Sequence, residues 1–400
     1  MNEFSLDFPT AAWIRMGISL FAALIIIIFY RRKIARVYRH YMDCENSADN
    51  DSTPAMPGVS VIVYCNGEAQ ALKALLTQLL EQKYDGDYEV TIVNDGSNED
   101  VKDVYNLLSS KHKNCNLTFI PQDAHYLSHR KLAITLGVKS ARYDYVLILD
   151  ASSQLSGDGW LQGIARHFAE GKEVVIGQAH YDPEKDEGVG SRRRAFDMAS
   201  EGVTYLSAAL TGNPYRGHAA NLGFARSLFF NTKGFSRSLN LHSGEDDMFI
   251  SGIVTPENCA VELSDATQVT VDTSNPRSHH IRWKRSHLFT GRKVWQRSRL
   301  MMGFYSLMIW IGTLSGLAAM AVTLPYYFIP SIAMLIVGIT VWVLVCNTWS
   351  RTITALTGRS MWMVIPWMVL TQPIYNLYYR IMSMRNNRDN YTWAIPRTNS

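Results

Sequence analysis

Apolar positions along the chain fall into two regimes: unbroken runs near the ends, and between about Gly58 and Asn275 short β-branched strings alternating with helically spaced leucines. From Met301 to Ser350 no side chain is charged. Because about 20 apolar residues cross a bilayer core, this run predicts a transmembrane hairpin over 301–350, turning at Pro325. Trp310, Tyr326, Tyr327, Trp342 and Trp349 stand near the interfaces such a hairpin would have. A buried soluble hairpin is the alternative. A second run, Ala11 to Tyr30, ends in "LIIIIFY" and is followed by "RRKIARVYRH". It starts acidic, at Glu3 and Asp7, and lacks the basic start of a cleaved signal, so it predicts an uncleaved anchor. Arg15 can snorkel to the headgroups.

Basic flanks prefer the cytoplasmic side. That rule places the N-terminus outside, the middle of the chain in the cytosol, and both "RKVWQRSR" and "RTITALTGR" inside, as in an inner-membrane protein. A last uncharged run, Ser360 to Tyr379, contains Pro366 and Pro373 and precedes Arg380, Arg385 and Arg388. A full pass would leave those arginines outside, so a re-entrant or interfacial segment is expected. The resulting division is an anchor with its basic flank (1–42), a linker (43–57), a cytosolic domain (58–275), an interfacial amphipathic helix region (276–300), the hairpin (301–350), and a re-entrant segment with a cytosolic tail (351–400).

Within the cytosolic domain, "VSVIVY" (59–64), "EVTIVN" (89–94), "LTFI" (117–120) and "YVLIL" (145–149) read as strands. "EAQALKALLTQLLEQ", "NEDVKDVYNLLSSK" and "HRKLAITLGVKSA" read as the helices between them. This alternation predicts an α/β fold with a mostly parallel sheet covered on both faces. Ligands bind such sheets at the carboxyl ends of the strands. Those ends carry Asn66 and Glu68, "NDGS" (94–97), and Asp150. An Asp-Gly alone is a turn signal, but two aspartates at the ends of two strands can share one pocket.

Further along, "GEDD" (244–247) precedes an apolar helical run. It reads either as an N-cap with a favourable dipole or as a carboxylate held ionised at a helix start, where a catalytic base would sit. "HHIRWKRSHLFTGR" (279–292) reads as a membrane-surface helix.

Composition removes alternatives. The net charge of +4 gives no support for nucleic acid as a partner. Five cysteines without paired spacing indicate neither zinc nor a disulfide scaffold. Spans lacking ionisable residues apart from Arg15 disfavour a transporter.

Taken in order, "SVIVYCNGE", "VNDGS", "LDAS", "GEDD" and "HxxRW" with a hydrophobic tail resemble the membrane-anchored glycosyltransferases of family 2, over about Pro57 to Trp393. The resemblance implies the GT-A fold, a Rossmann-like nucleotide-diphospho-sugar transferase domain. It also implies an inverting transfer from a UDP- or GDP-sugar to a lipid or saccharide acceptor at the membrane. By it, Asn66, Glu68, Asp95 and Lys131 would contact the nucleotide, and Asp150 would lie near the diphosphate and a weakly bound Mg²⁺ or Mn²⁺. Asp246 would be the general base, supported by Glu245 and Asp247. Arg282 would neutralise the leaving diphosphate, and Trp283, beside His279, would line the acceptor site.

Two departures from the family pattern stand out. His279 replaces a glutamine, and Ser152 replaces the second aspartate of the metal motif, leaving a weak or water-bridged ligand. A processive polysaccharide synthase and a non-catalytic nucleotide-sugar-binding subunit are the alternatives.

Overall fold

The computed structural model describes residues 10–48, 55–96, 99–120, 128–184, 188–294, 297–324 and 328–385. The expected turn at Pro325 with Tyr326 and Tyr327, Ser97, linker residues 49–54 and the tail from 386 lie outside them.

The centre is a seven-stranded sheet in the order β3-β2-β1-β4-β8-β6-β9. Its strands are β1 (Val59–Cys65), β2 (Tyr88–Asn94), β3 (Cys115–Phe119), β4 (Tyr145–Asp150), β6 (Val174–Ile176), β8 (Leu222–Ala225) and β9 (Cys259–Val261). The first four pair in parallel. They are joined by α3 (Ala69–Leu80), α4 (Glu99–Ser109) and α5 (His129–Ser140), the βαβ pattern read from the sequence. β1 and β4 are buried along nearly their whole length, which explains why they read as continuous apolar strings rather than alternating ones. A second sheet, β5-β10-β7, is built from Ser153–Leu155, Val269–Val271 and Ala179–His180. The remaining helices of this unit are α6 (Trp160–Ala169), α7 (Val189–Ala209), α8 (Arg226–Asn231) and the single turn α9 (Ile250–Ile253).

β8 departs from the parallel pattern and decides the site. It runs antiparallel to β4, with Ile148 opposite Leu222. The chain entering β8, from Arg216 to Asn221, therefore meets the same sheet edge as the carboxyl end of β4.

At the N-terminus, α1 (Thr10–Phe29) passes through a π-turn at Tyr30–Ile34 into α2 (Ala35–Ala48). The expected linker thus begins inside a helix, a correction with a tertiary cause. His40 meets the Val261 carbonyl at 2.8 Å, the Tyr41 hydroxyl donates to Asp265 at 3.0 Å, and Glu45 accepts from the Asp265 amide at 2.5 Å. These contacts hold helical a stretch whose composition favours turns.

α10 (Pro276–Thr290) is followed by α11 (Arg297–Thr323), α12 (Phe328–Thr357) and α13 (Ile365–Arg385). Among the described residues, three helical stretches are long and apolar enough to cross a membrane: Trp13–Ser47, Leu300–Ala321 and Ser331–Thr357. α13 runs unbroken through Pro373, with Pro366 in its first turn, where a missing N–H is harmless. α10, read as a membrane-surface helix, buries a polar face of His280, Lys284, His287 and Thr290. That face meets Asp197 of α7, which sits 2.8 Å from the Lys284 ammonium, 3.2 Å from His280 Nε2 and 2.6 Å from the Gln372 amide of α13.

Candidate active site

Three parallel strands deliver the first side chains. Asn66 and Glu68 lie exposed just past β1, where the Asn66 amide donates to the Glu68 carboxylate at 2.8 Å. Asp95 follows β2 and turns at Gly96, whose φ of 103° favours glycine. Its carboxylate accepts from the Tyr64 hydroxyl at 2.8 Å and lies 2.7 Å from His129 Nδ1. Asp150 ends β4. Ser152 lies in the turn beyond, its carbonyl accepting from the Asp272 amide at 2.7 Å.

Arg130, which the sequence reading passed over, joins this row to the acidic turn. Its guanidinium is 2.7 Å from Asp150 and 3.1 Å from Glu245. Burial opposes its charge, but Asp150 and Glu245 outweigh that and raise its pKa.

The neighbouring Lys131, expected at the nucleotide, is engaged within the protein. Its buried ammonium donates to the carbonyls of Ser238, Leu241 and Ser243 at 2.6–2.9 Å. An ammonium has three donors, so these contacts use all of them to tie down the loop before the acidic turn. Burial pulls its pKa down to about 8 against the opposing pull of Glu245, Asp247 and Asp246.

"GEDD" is a turn, not a helix cap. Gly244 takes a φ of 122°, and α9 starts only at Ile250. Asp246 and Asp247 are buried. Asp247 accepts from the Met248 amide at 2.6 Å and from the Thr290 hydroxyl. Asp246 lies 3.2 Å from His287 Nε2 on α10, and its carbonyl accepts from the Gly217 amide at 2.9 Å. Burial raises its pKa well above the carboxylate range, Arg216 pulls it down, and Asp247 and Glu245 push it up again.

Arg216 and His218 arrive with the chain entering β8. The fully buried Arg216 is 3.0 Å from Glu201 of α7, and Asp246 and Glu201 together outweigh the burial that opposes its charge. His218 Nδ1 accepts from the Ala220 amide at 3.2 Å, so its proton sits on Nε2. Burial, then Arg216 and Arg130, pushes its pKa down to about 3 and keeps it neutral.

From α10, Trp283 stacks on His218 with centroids 6.5 Å apart and carries Arg216 5.9 Å from its ring. His279 Nδ1 lies 2.6 Å from the Tyr181 hydroxyl, and burial lowers its pKa to about 4. Arg282 is exposed on the same helix. Buried polar atoms of this cluster without a hydrogen-bond partner include Arg216 Nε and Nη2, His218 Nε2, Trp283 Nε1 and Glu245 Oε2. Buried polar groups are satisfied as a rule, so these are atoms that a polar ligand could satisfy.

The arrangement can bind an anion and move a proton. Arg130 and Arg216 supply fixed positive charge, and Asp246 supplies a carboxyl whose proton is exchangeable. The residues also fit a divalent metal. Ligand atoms of Asp246, Asp247 and His287 lie within 4.8 Å of one another, and Asp150 offers a carboxylate at the sheet edge, the oxygen chemistry hard cations prefer.

Residues 60–232 match the family model "Glycosyl transferase family 2". The poly-beta-1,6-N-acetyl-D-glucosamine synthase of Staphylococcus aureus (strain COL) is 26% identical over 113 residues, 28% of this chain and 26% of that protein. The Staphylococcus epidermidis synthase is 28% identical over 101 residues, 25% of this chain and 23% of its own length. The chain thus aligns with about a quarter of these relatives' length. Among solved structures, the mannosyltransferase PcManGT from Pyrobaculum calidifontis, in complex with GDP-Man and Mn²⁺, aligns with a TM-score of 0.49 at 16% identity, covering 92% of this chain and 99% of that one. S. aureus TarS 1-349 in complex with UDP-GlcNAc aligns at 0.42 and 13%, covering 82% and 89%.

The strand order, the carboxylates and arginines gathered at one sheet edge, and the match over 60–232 lead to one assignment: residues 60–232 carry a family 2 glycosyltransferase domain on a mostly parallel α/β sheet, in a chain whose described residues include three helices long and apolar enough to cross a membrane.

Proposed function

We propose that the protein transfers a sugar, with inversion, from a nucleotide-diphosphate sugar to a membrane-proximal acceptor, a glycolipid or a polyprenyl-linked saccharide. The observation that carries this is Asp246, a buried carboxyl 3.2 Å from His287 and next in the chain to Glu245, which pairs with the Arg130 that also holds Asp150. A base on one face of the sugar and cations on the other are what a single in-line displacement requires.

In this reading Asn66, Glu68 and Asp95 hold the nucleotide. Arg130 and Arg282 offset the charge that develops on the leaving diphosphate. Asp246 takes the acceptor hydroxyl's proton, with Glu245 and Asp247 shaping its environment, and Trp283 and His279 border the acceptor. Asp150 is the carboxylate for the divalent metal, Mg²⁺ or Mn²⁺, with Ser152 a weak partner. Bound metal adds positive charge beside the diphosphate. The basic flanks of α1 and α11 support placing this domain on the cytosolic side of the inner membrane. The presence of Asp95, Asp246 and Arg282 together argues against a non-catalytic subunit.

Purified protein offered UDP- and GDP-sugars with a lipid extract should release nucleoside diphosphate and form a single glycolipid. A processive synthase is the second reading, favoured by the polymer named for the staphylococcal relatives; long polymer in the product would establish it instead.

A further inference from the structure

Between α7, α10, α11 and α13 lies a cavity of about 420 Å³, within the size range of small-molecule sites. α10 separates it from the carboxylates: Lys284 and Leu288, one turn apart, line the cavity, while His287 between them pairs with Asp246. The floor is polar. Lys284 and Gln372 both bond Asp197, and Glu201 pairs with Arg216. The walls are apolar, including Leu307, Trp310 and Leu377. Leu307 and Leu377 are 53% and 55% exposed, so the cavity opens on the flank of the apolar helices.

Three charged residues line it. Lys284 is neutralised by Asp197 and Glu201 by Arg216, which leaves the exposed Arg380 as the charge available to a ligand. An apolar slot with a polar floor and a cation at its rim suits a hydrocarbon chain with an anionic head.

We propose that this cavity binds a bilayer phospholipid, its chain between α11 and α13 and its phosphate at Arg380, and that the bound lipid braces the Asp197–Lys284–Gln372 contact that seats α10. α10 carries His279, Arg282, Trp283 and His287, so an occupied cavity holds the acceptor side of the active site in register. Catalysis then depends on the surrounding lipid. The inference rests on the proposed membrane insertion.

Two variants probe it without touching the catalytic groups. A Cβ on Gly303, which lines the cavity, would meet nothing within 4 Å, so Gly303→Trp fills the space. Arg380→Gln removes the rim charge and keeps the shape. Full-length protein extracted in mild detergent should retain about one phospholipid by native mass spectrometry, and Gly303→Trp should lose it. Wild-type turnover should rise several-fold when phosphatidylglycerol is added to phosphatidylcholine vesicles, with neither variant responding. Nucleotide-sugar binding should be equal in all three proteins. Wild type that inserts in membranes but retains no phospholipid, or variants that respond to phosphatidylglycerol as wild type does, would overturn the lipid site alone. Glycosylation of the retained lipid would make it the acceptor and overturn the bracing role. Failure of the wild type to sediment with membranes would instead remove the membrane reading on which the inference stands.

Discussion

The Arg130 guanidinium lies 2.7 Å from Asp150 and 3.1 Å from Glu245, so one side chain ties the carboxyl end of β4 to the acidic turn that bears Asp246. The pairing sets a half-buried positive charge in the middle of the site before any substrate binds. A cation preorganised in this way costs no reorganisation when the leaving diphosphate gains charge.

Arg130→Met should therefore lower kcat for nucleoside diphosphate release by about 10²-fold or more. Arg130→Lys should recover only part of the loss, because an ammonium lacks the fork that reaches two carboxylates at once. Equal turnover in wild type and Arg130→Met would remove the arginine from the mechanism.

Ser152 stands where a second carboxylate would strengthen metal binding. Ser152→Asp is expected to lower the Mg²⁺ or Mn²⁺ concentration giving half-maximal rate, whereas Asp150→Ala should abolish activity at any metal concentration. Metal titrations of the three proteins check both. Identical curves for wild type and Ser152→Asp would return the stretch after β4 to an ordinary strand end.

The pH profile should report Asp246. A base works deprotonated, so the rate should climb with pH through its pKa, which burial places above the ordinary carboxylate range. Arg216 is the largest influence pulling that pKa down. Arg216→Gln should accordingly shift the acid limb of the kcat profile to higher pH, and Arg216→Lys should leave it nearer the wild-type position. An acid limb unmoved in Arg216→Gln would contradict the assignment of the base.

Asp197 should act on stability through the contacts that seat α10. Removing one partner of a buried ion pair costs about 3–5 kcal/mol, while replacing both with apolar groups is often neutral. Asp197→Ala should thus lower the thermal midpoint in detergent strongly, and the double variant Asp197→Leu with Lys284→Met should regain most of it. The pairing lowers the Asp197 pKa in spite of its burial. Its contribution is therefore fully present above the ordinary carboxylate range and fades as the pH falls toward the lowered value.

Much of the fold was legible because its signals are local. Four strands and three helices of the nucleotide half occupy the apolar strings that predicted them, and Asn66, Asp95 and Asp150 stand where strand ends must be. The remainder depends on tertiary structure. Arg216 and His218 were missed because only the antiparallel direction of β8 carries them to the carboxyl edge of β4, and attention to the ends of parallel strands passes over the start of an antiparallel one. Arg130 and Lys131 are adjacent in "HRK" with opposite fates, one facing the carboxylates and the other capping carbonyls, which no spacing rule separates. His287 was visible only as one of several basic residues in "HHIRWKRSHLF". Its position four residues after Trp283 was the signal that could have found it.

The most direct measurement is nucleoside diphosphate release by the purified protein across UDP- and GDP-sugars, wild type beside Asp246→Asn, with donor binding followed by calorimetry. The account predicts turnover with at least one donor in the wild type, no turnover in Asp246→Asn, and donor binding retained in both. Normal turnover by Asp246→Asn, or donor binding without turnover in the wild type across all donors and metals, would contradict it.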